Sequence, residues 1–296
     1  MRLSIECVNH TQLNLGRFEE QLLIFGGPYG NLQATQAVLQ ASEKLGIPAS
    51  HVICNGDCVA YCAQPEETVE LIRSSGIKVL MGNCEQSLAD GRENCGCGFE
   101  TGTSCSLLAE DWYPYCAEQL SIDAKRWMGS LPKGLFFDLE GRRFQIMHGG
   151  LSAINRFIFA STPTEEKQKE MALSDADVVI GGHAGLPFGE QLGERYWLNS
   201  GVIGMPANDG TQDGWYLLII PEEGNVRCEW HRLSYNARAA QSAMHKLNRF
   251  NGYAETLLSG VWPSMDILPD KEFSQQGRAI SPESITIPIV NRLTEY

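Results

Sequence analysis

The stretch Leu22-Leu-Ile-Phe-Gly-Gly-Pro-Tyr-Gly-Asn31, running on into Leu32-Gln-Ala-Thr-Gln36, decides how the rest of the chain is read. Its apolar run ends at Gly26-Gly27 and fits a short buried strand. From residue 32 to 45 apolar side chains recur at helical spacing through Val38 and Leu39, and Gly46-Ile47-Pro48 closes the helix. In an α/β protein, ligands bind where strands end and the chain turns into helices, so residues 26–31 form a site candidate. That turn carries no carboxylate, histidine, serine or lysine.

Outward from this turn the same rhythm repeats. Residues 51–55 read as a second strand ending in Gly56-Asp57. Pro65 opens a helix through Arg73, with Glu66 and Glu67 placed favourably beside its N-terminal dipole. Residues 78–81 form a third strand, followed by Gly82-Asn83-Cys84-Glu85. Two successive β-α-β units predict an α/β core with parallel pairing. Residues 1–20 lack periodicity and read as an N-terminal extension or loop. Residues 88–116, with Cys95-Gly-Cys97, are too long for a routine connection and read as an insertion.

Ser121 caps a helix to Met128, and a β-hairpin over 136–147 ends in His148-Gly149-Gly150. Thr162-Pro163 opens a helix through Ala172, and a strand over 177–180 ends in Gly181-Gly182-His183. Further strands fall at 196–198, 215–220 and 226–233, the last two paired across Pro221-Glu-Glu-Gly224. The division is an extension (1–20), one domain (21–235) carrying the insertion, and a C-terminal helix and tail (236–296).

The 296 residues carry 23 Lys and Arg against 36 Asp and Glu, a net charge of −13 without a basic run. That excludes an evident nucleic-acid surface, while bound metal ions can still supply local positive charge for a phosphorylated small molecule. No stretch approaches the length of a membrane span, and the N-terminus is too polar for a signal peptide. The expectation is a cytoplasmic protein whose ten cysteines are thiols or metal ligands rather than a disulfide framework. Nothing indicates an oligomeric state.

Four strands end in an apolar run and then a polar residue beside a glycine: Asp57, Asn83 and His183 after the glycine, His148 before it. Strand ends on one side of a sheet converge, so these residues can form a metal shell. A carboxylate, an amide oxygen and two imidazoles suit Mn, Fe or Zn. Taken singly, Asp57 and Asn83 also fit Asx turns, and each histidine also fits a hydrogen-bonded structural role.

Read as a set, these blocks resemble the calcineurin-like metallophosphoesterase superfamily. Its Asp-x-His, Gly-Asp, Gly-Asn-His-Asp/Glu, His-Gly and Gly-His-x-His blocks meet Gly27-Pro-Tyr29, Gly56-Asp57, Gly82-Asn83-Cys84-Glu85, His148-Gly149 and Gly182-His183-Ala184-Gly185. Asn199-Ser-Gly201 resembles the closing Asn-x-Gly segment. The resemblance implies a four-layer α/β/β/α sandwich with two metals at the strand ends. Carried over, the second metal's ligands are complete in Asp57, Asn83, His148 and His183. The first metal's other positions hold Gly27, Tyr29 and Gly185, which implies one divalent metal per site and a vacated half lining the pocket with Asn31 and Asn199.

Cys84 replaces the histidine expected to act on the leaving oxygen. It reads either as a catalytic thiol or as a small buried filler. Cys54, Cys58 and Cys62 around Asp57, with Cys84, Cys95 and Cys97 on the next loop, read as scattered reduced thiols, or alternatively as a thiolate-rich second site. Two functions follow. One is a metal-dependent phosphoesterase acting on a phosphomonoester or phosphodiester. The other is a catalytically impaired pseudoenzyme that binds a phosphorylated ligand or a protein partner.

Overall fold

The structure, a computed structural model, describes residues 12–248 and 251–289. Strands β2 (Leu22–Phe25), β3 (Val52–Cys54) and β4 (Lys78–Val79) run parallel, with Ile24 opposite Ile53 and Cys54 opposite Val79. Antiparallel strands β10 (Gly214–Glu222), β11 (Asn225–Leu233) and β12 (Ile285–Pro288) extend this sheet to the order β12-β11-β10-β2-β3-β4. A second sheet contains β1 (Gln12–Phe18), β5 (Gly134–Leu139), β6 (Arg142–Met147), β7 (Val178–Gly181), β8 (Phe188–Leu192) and β9 (Arg195–Asn199). Its order is β1-β5-β6-β7-β9-β8, with β6, β7 and β9 mutually parallel.

β2 shows why an unbroken apolar run is needed. Alternate side chains of a strand point to opposite faces, and here both faces are covered. Leu22 and Ile24 join Ile53, Leu135, Phe137, Phe144 and Ile180 between the sheets, where the Phe137 and Phe144 rings stack 4.7 Å apart. Leu23 and Phe25 point the other way, into a cluster with Val38 of α1 (Leu32–Lys44) and Val69 and Ile72 of α2 (Pro65–Ser75). Each such side chain contributes roughly 1.5–3 kcal/mol by leaving water. α7 (Ala237–Lys246) adds Ala240 and Met244 to that helical layer. On the outer face of the second sheet, Met171 of α6 (Thr164–Met171) packs with Val179 and Trp197. The result is the expected α/β/β/α sandwich. Among the described residues, no helix is long and apolar enough to cross a membrane.

Several elements differ from the sequence reading. Residues 12–18, read as extension or loop, form β1 and pair in parallel with β5. Every β1 side chain is exposed or half-buried, so the strand lacks the buried apolar run that marks β2. The insertion begins in the last turn of α3 (Asn83–Ala89), and α4 (Ser104–Gln119) runs through an internal Pro114. α5 (Ile122–Gly129) starts where Ser121 caps it, its hydroxyl accepting from the Ala124 amide at 3.0 Å. The tail carries α8 (Asn251–Ser259), α9 (Asp270–Phe273) and β12. It folds back against the strand-end loops.

Candidate metal centre

The loops after β3, β6 and β7, and the N-terminus of α3, bring Asp57, His148, His183 and Asn83 together below the surface. His148 Nε2 lies 3.2 Å from Asp57 Oδ2, 2.9 Å from Asn83 Oδ1 and 3.2 Å from His183 Nδ1. The metal-type donor atoms of Asp57, His148 and His183 all fall within 4.8 Å of one another.

Outer hydrogen bonds settle which way each ligand faces. The Nδ1–H of His148 donates to the Asn55 carbonyl at 2.8 Å, leaving Nε2 with a lone pair toward the centre. The Nε2–H of His183 donates to the Cys97 carbonyl at 3.2 Å, which turns its Nδ1 lone pair inward. The Asn83 amide nitrogen donates to the Cys95 carbonyl at 3.0 Å, so its Oδ1 faces the same point. Asp57 adds a carboxylate oxygen. Four ligand atoms therefore converge, and they sit together without repulsion when a metal ion, or a proton on His148 Nε2, lies among them.

Histidine ligands to metals habitually donate their second ring N–H to a carbonyl or carboxylate, as both do here. Donor separations of 2.9–3.2 Å also match neighbouring ligands on bonds of about 2.0–2.2 Å. The residues fit a divalent ion with nitrogen and oxygen preference.

Electrostatics carry the same mark. Burial pushes the Asp57 carboxyl up, but the charge and hydrogen bond of His148 outweigh it and hold Asp57 below the usual carboxylate range. Burial pulls His148 down, and Asp57 reverses this and raises it above an ordinary imidazole. His183 falls to about 3, from burial and then from repulsion by His148. The pocket thus draws in one positive charge and rejects a second proton.

The backbone is bent to make this possible. Tyr29, Asp57 and His183 all take left-handed conformations, with φ of 53°, 56° and 55°. Such conformations cost of order 1–3 kcal/mol each and persist where surrounding bonds dictate them. Glu85 supplies much of that restraint. Its carboxylate accepts from the Asp57 and Gly82 amides at 2.8 Å and from the Cys58 amide at 2.7 Å. Burial and the neighbouring Asp57 push Glu85 up to about 7.

The other expected positions fall in different places. A Cβ on Gly27 would meet Tyr29 Cζ at 2.5 Å and Val202 Cγ1 at 2.7 Å, so the tyrosine ring and the valine fill that half. Gly185 faces Val202 and Trp262 at 3.6–3.8 Å. Tyr29 and Gly185 line the cleft over the centre, and Gly27 does not. Asn31, expected in the pocket, instead caps α1: its Oδ1 accepts from the Ala34 amide at 3.1 Å and its amide donates to the Gly204 carbonyl at 3.0 Å. Asn199 braces the His183 loop by donating to the Gly182 carbonyl at 2.9 Å, and it too lies off the cleft wall. Cys84 is buried, its amide donating to Asp57 Oδ1 at 3.2 Å. Burial, Asp57 and Glu85 all push its thiol up, so it keeps its proton.

The cysteines hold a surprise. Cys95 and Cys97 are joined by a disulfide, where the reading from sequence had thiols or thiolate ligands. Gly96, at φ +64°, allows the chain to double back within two residues. The seven other described cysteines are free and buried. Reading the sequence missed Asn55, Glu85 and the aromatic wall of the cleft. Glu85 lay within a matched block, and Asn55 directly precedes Gly56-Asp57. The aromatic residues come from remote loops and carry no sequence signal.

Two mixed sheets between helical layers, with buried donors on the strand-end loops, define an α/β sandwich with a metal-type centre. The chain belongs to the calcineurin-like phosphoesterase superfamily, whose domain model matches residues 29–222. The fold is similar to a metallophosphoesterase from Sphaerobacter thermophilus, with a TM-score of 0.64 and 21% identity over 82% of this chain and 100% of that one. It is also similar to a hypothetical protein from Pyrococcus horikoshii OT3, with a TM-score of 0.66 and 16% identity over 82% and 99%. An uncharacterized protein of Methanocaldococcus jannaschii is 22% identical over 245 residues, 77% of this chain and 93% of the relative.

Proposed function

We propose that this protein hydrolyses a phosphate ester using a single divalent metal held by Asp57, Asn83, His148 and His183. The observation that carries the reading is the convergence of four metal-type ligand atoms on one buried point. When bound, the ion supplies Lewis-acid polarisation of the phosphoryl group and activation of water.

The chain's own groups do the rest. Asn55 and the Cys95 and Cys97 carbonyls lock the ligands in their orientation, so little reorganisation is needed as substrate enters. Phe157 stacks on the His183 ring at 4.2 Å and shields that flank from water. No lysine or arginine lines the cleft among the described residues, so the ester's charge is balanced at the metal end.

A second reading is a pseudoenzyme that binds a phosphorylated ligand or a protein partner without turnover. It is favoured by Tyr29 and Val202 occupying the space of the family's first aspartate. The deciding experiment pairs manganese quantification with hydrolysis of bis(p-nitrophenyl) phosphate by wild type and Asp57→Ala. Metal-dependent turnover abolished by the substitution is the expected result. Metal binding with no turnover would leave the pseudoenzyme, and turnover surviving Asp57→Ala would refute the proposed centre.

A further inference from the structure

The vacated half of the site is built from aromatic rings. A cleft opens over Asp57 and His183. One wall is a run of tyrosines: Tyr29 meets Tyr61 edge-on at 4.8 Å, and Tyr61 stacks on Tyr253 at 4.4 Å. Phe157, stacked on His183, and Phe99, parallel to it at 6.3 Å, form another. Trp262 closes the third side. Its ring N–H donates to the Pro206 carbonyl at 2.7 Å and its amide to Asn208 Oδ1 at 2.8 Å, which hold the indole in place.

Tyr61, Phe99, Phe157 and Trp262 are half-buried, so part of each ring's surface stays open to the cleft. Asp57 is the sole carboxylate on the wall, and no cationic side chain joins it among the described residues. A dianionic monoester would find one ion and no further positive partner. A monoanionic diester is better matched, and ring faces reward a planar group with stacking as well as burial.

We infer that the ligand of this site is a monoanionic phosphodiester carrying a planar aromatic group, which sits against Trp262 and the tyrosine wall while the phosphoryl group meets the metal ligands. The inference rests on the metal-centre reading above for the position of the phosphoryl group. It does not require turnover.

Two monoanionic, non-hydrolysable probes test it: phenyl(methyl)phosphinate and dimethylphosphinate, titrated calorimetrically into manganese-loaded protein. The phenyl probe is expected to bind roughly tenfold tighter, the scale of one aromatic contact with burial. Trp262→Ala should reduce the ratio to threefold or less, and Trp262→Tyr should retain most of it. Should Trp262→Ala fail to fold, Phe99→Ala reports on the facing wall with the same expectation. Equal affinities in the wild type, or a ratio unchanged in the folded variant, would overturn the inference. A ring preference without hydrolysis of bis(p-nitrophenyl) phosphate would remove the enzymatic reading alone, and hydrolysis without a ring preference would remove this one alone.

Discussion

Replacing Asp57 with Asn isolates the charge at the centre from its shape. The amide retains an oxygen for the Cys84 N–H, and its NH2 can donate to His148 Nε2, where the carboxylate oxygen sits 3.2 Å away. Metal-free stability should therefore change little, with the melting temperature within about 2 °C of wild type. Metal-bound stability should change a great deal.

For 296 residues, an unfolding entropy of roughly 2.1 cal/mol/K per residue gives about 0.6 kcal/mol/K at the melting point. Manganese at a hundred times its Kd contributes about 2.7 kcal/mol, which raises the melting temperature by about 4 °C. Losing the charged ligand weakens binding by about a hundredfold, the upper end of what even an outer partner costs. At the same manganese concentration the gain then falls to about 0.4 kcal/mol, under about 1 °C.

Scanning calorimetry after chelator dialysis, with and without manganese, measures both shifts. Manganese is chosen over zinc because the cysteines of an unfolded chain bind zinc and blunt the effect. A full shift retained by Asp57→Asn would show that the ion binds elsewhere.

Proton and metal compete for His148 Nε2, whose affinity for a proton is raised by Asp57. Manganese binding should weaken about tenfold per pH unit below the folded-state pKa, which lies above about 6.5, and be flat above it. Isotherms from pH 5.5 to 8 without that break would refute the assignment. In metal-free protein the sign reverses: the raised imidazole contributes stability at low pH and loses it as pH rises through the folded value. Gly27→Asp alone should destabilise by about 2–4 kcal/mol in urea titrations, because its Cβ collides with Tyr29 and Val202, and adding Tyr29→His should recover part of the loss. Cys84→Ala should leave kcat within about threefold, since the thiol is buried off the cleft wall, whereas a hundredfold loss would make it a catalytic acid. Replacing Cys95 and Cys97 together by Ser frees the loop whose carbonyls orient Asn83 and His183, and manganese affinity should fall about tenfold by titration.

What reading the sequence recovers depends on how locally the physics is expressed. A strand buried on both faces must be an unbroken apolar run, so β2 is visible in four residues, and Ser121 announces α5 by its capping chemistry. β1 escapes because none of its side chains is fully buried, so it carries no apolar run like that of β2. α4 escapes because Pro114 interrupts it and its faces differ little in polarity.

The site divides in the same way. Asp57, Asn83 and His183 each follow a glycine after an apolar run, and His148 ends such a run directly before Gly149, so ligand chemistry and spacing are already present in one dimension. The losses at Gly27, Tyr29 and Gly185 were equally legible as missing donors. What replaced those donors was not, because Val202, Phe157 and Trp262 reach the cleft from loops far apart in the chain. Nor could spacing show that Asn31 is spent on a helix cap, or that Cys95 and Cys97 turn their carbonyls toward two ligands. Ligand identity is a property of single residues, whereas orientation and enclosure arise from contacts between segments, and these exist only once the sheets have packed.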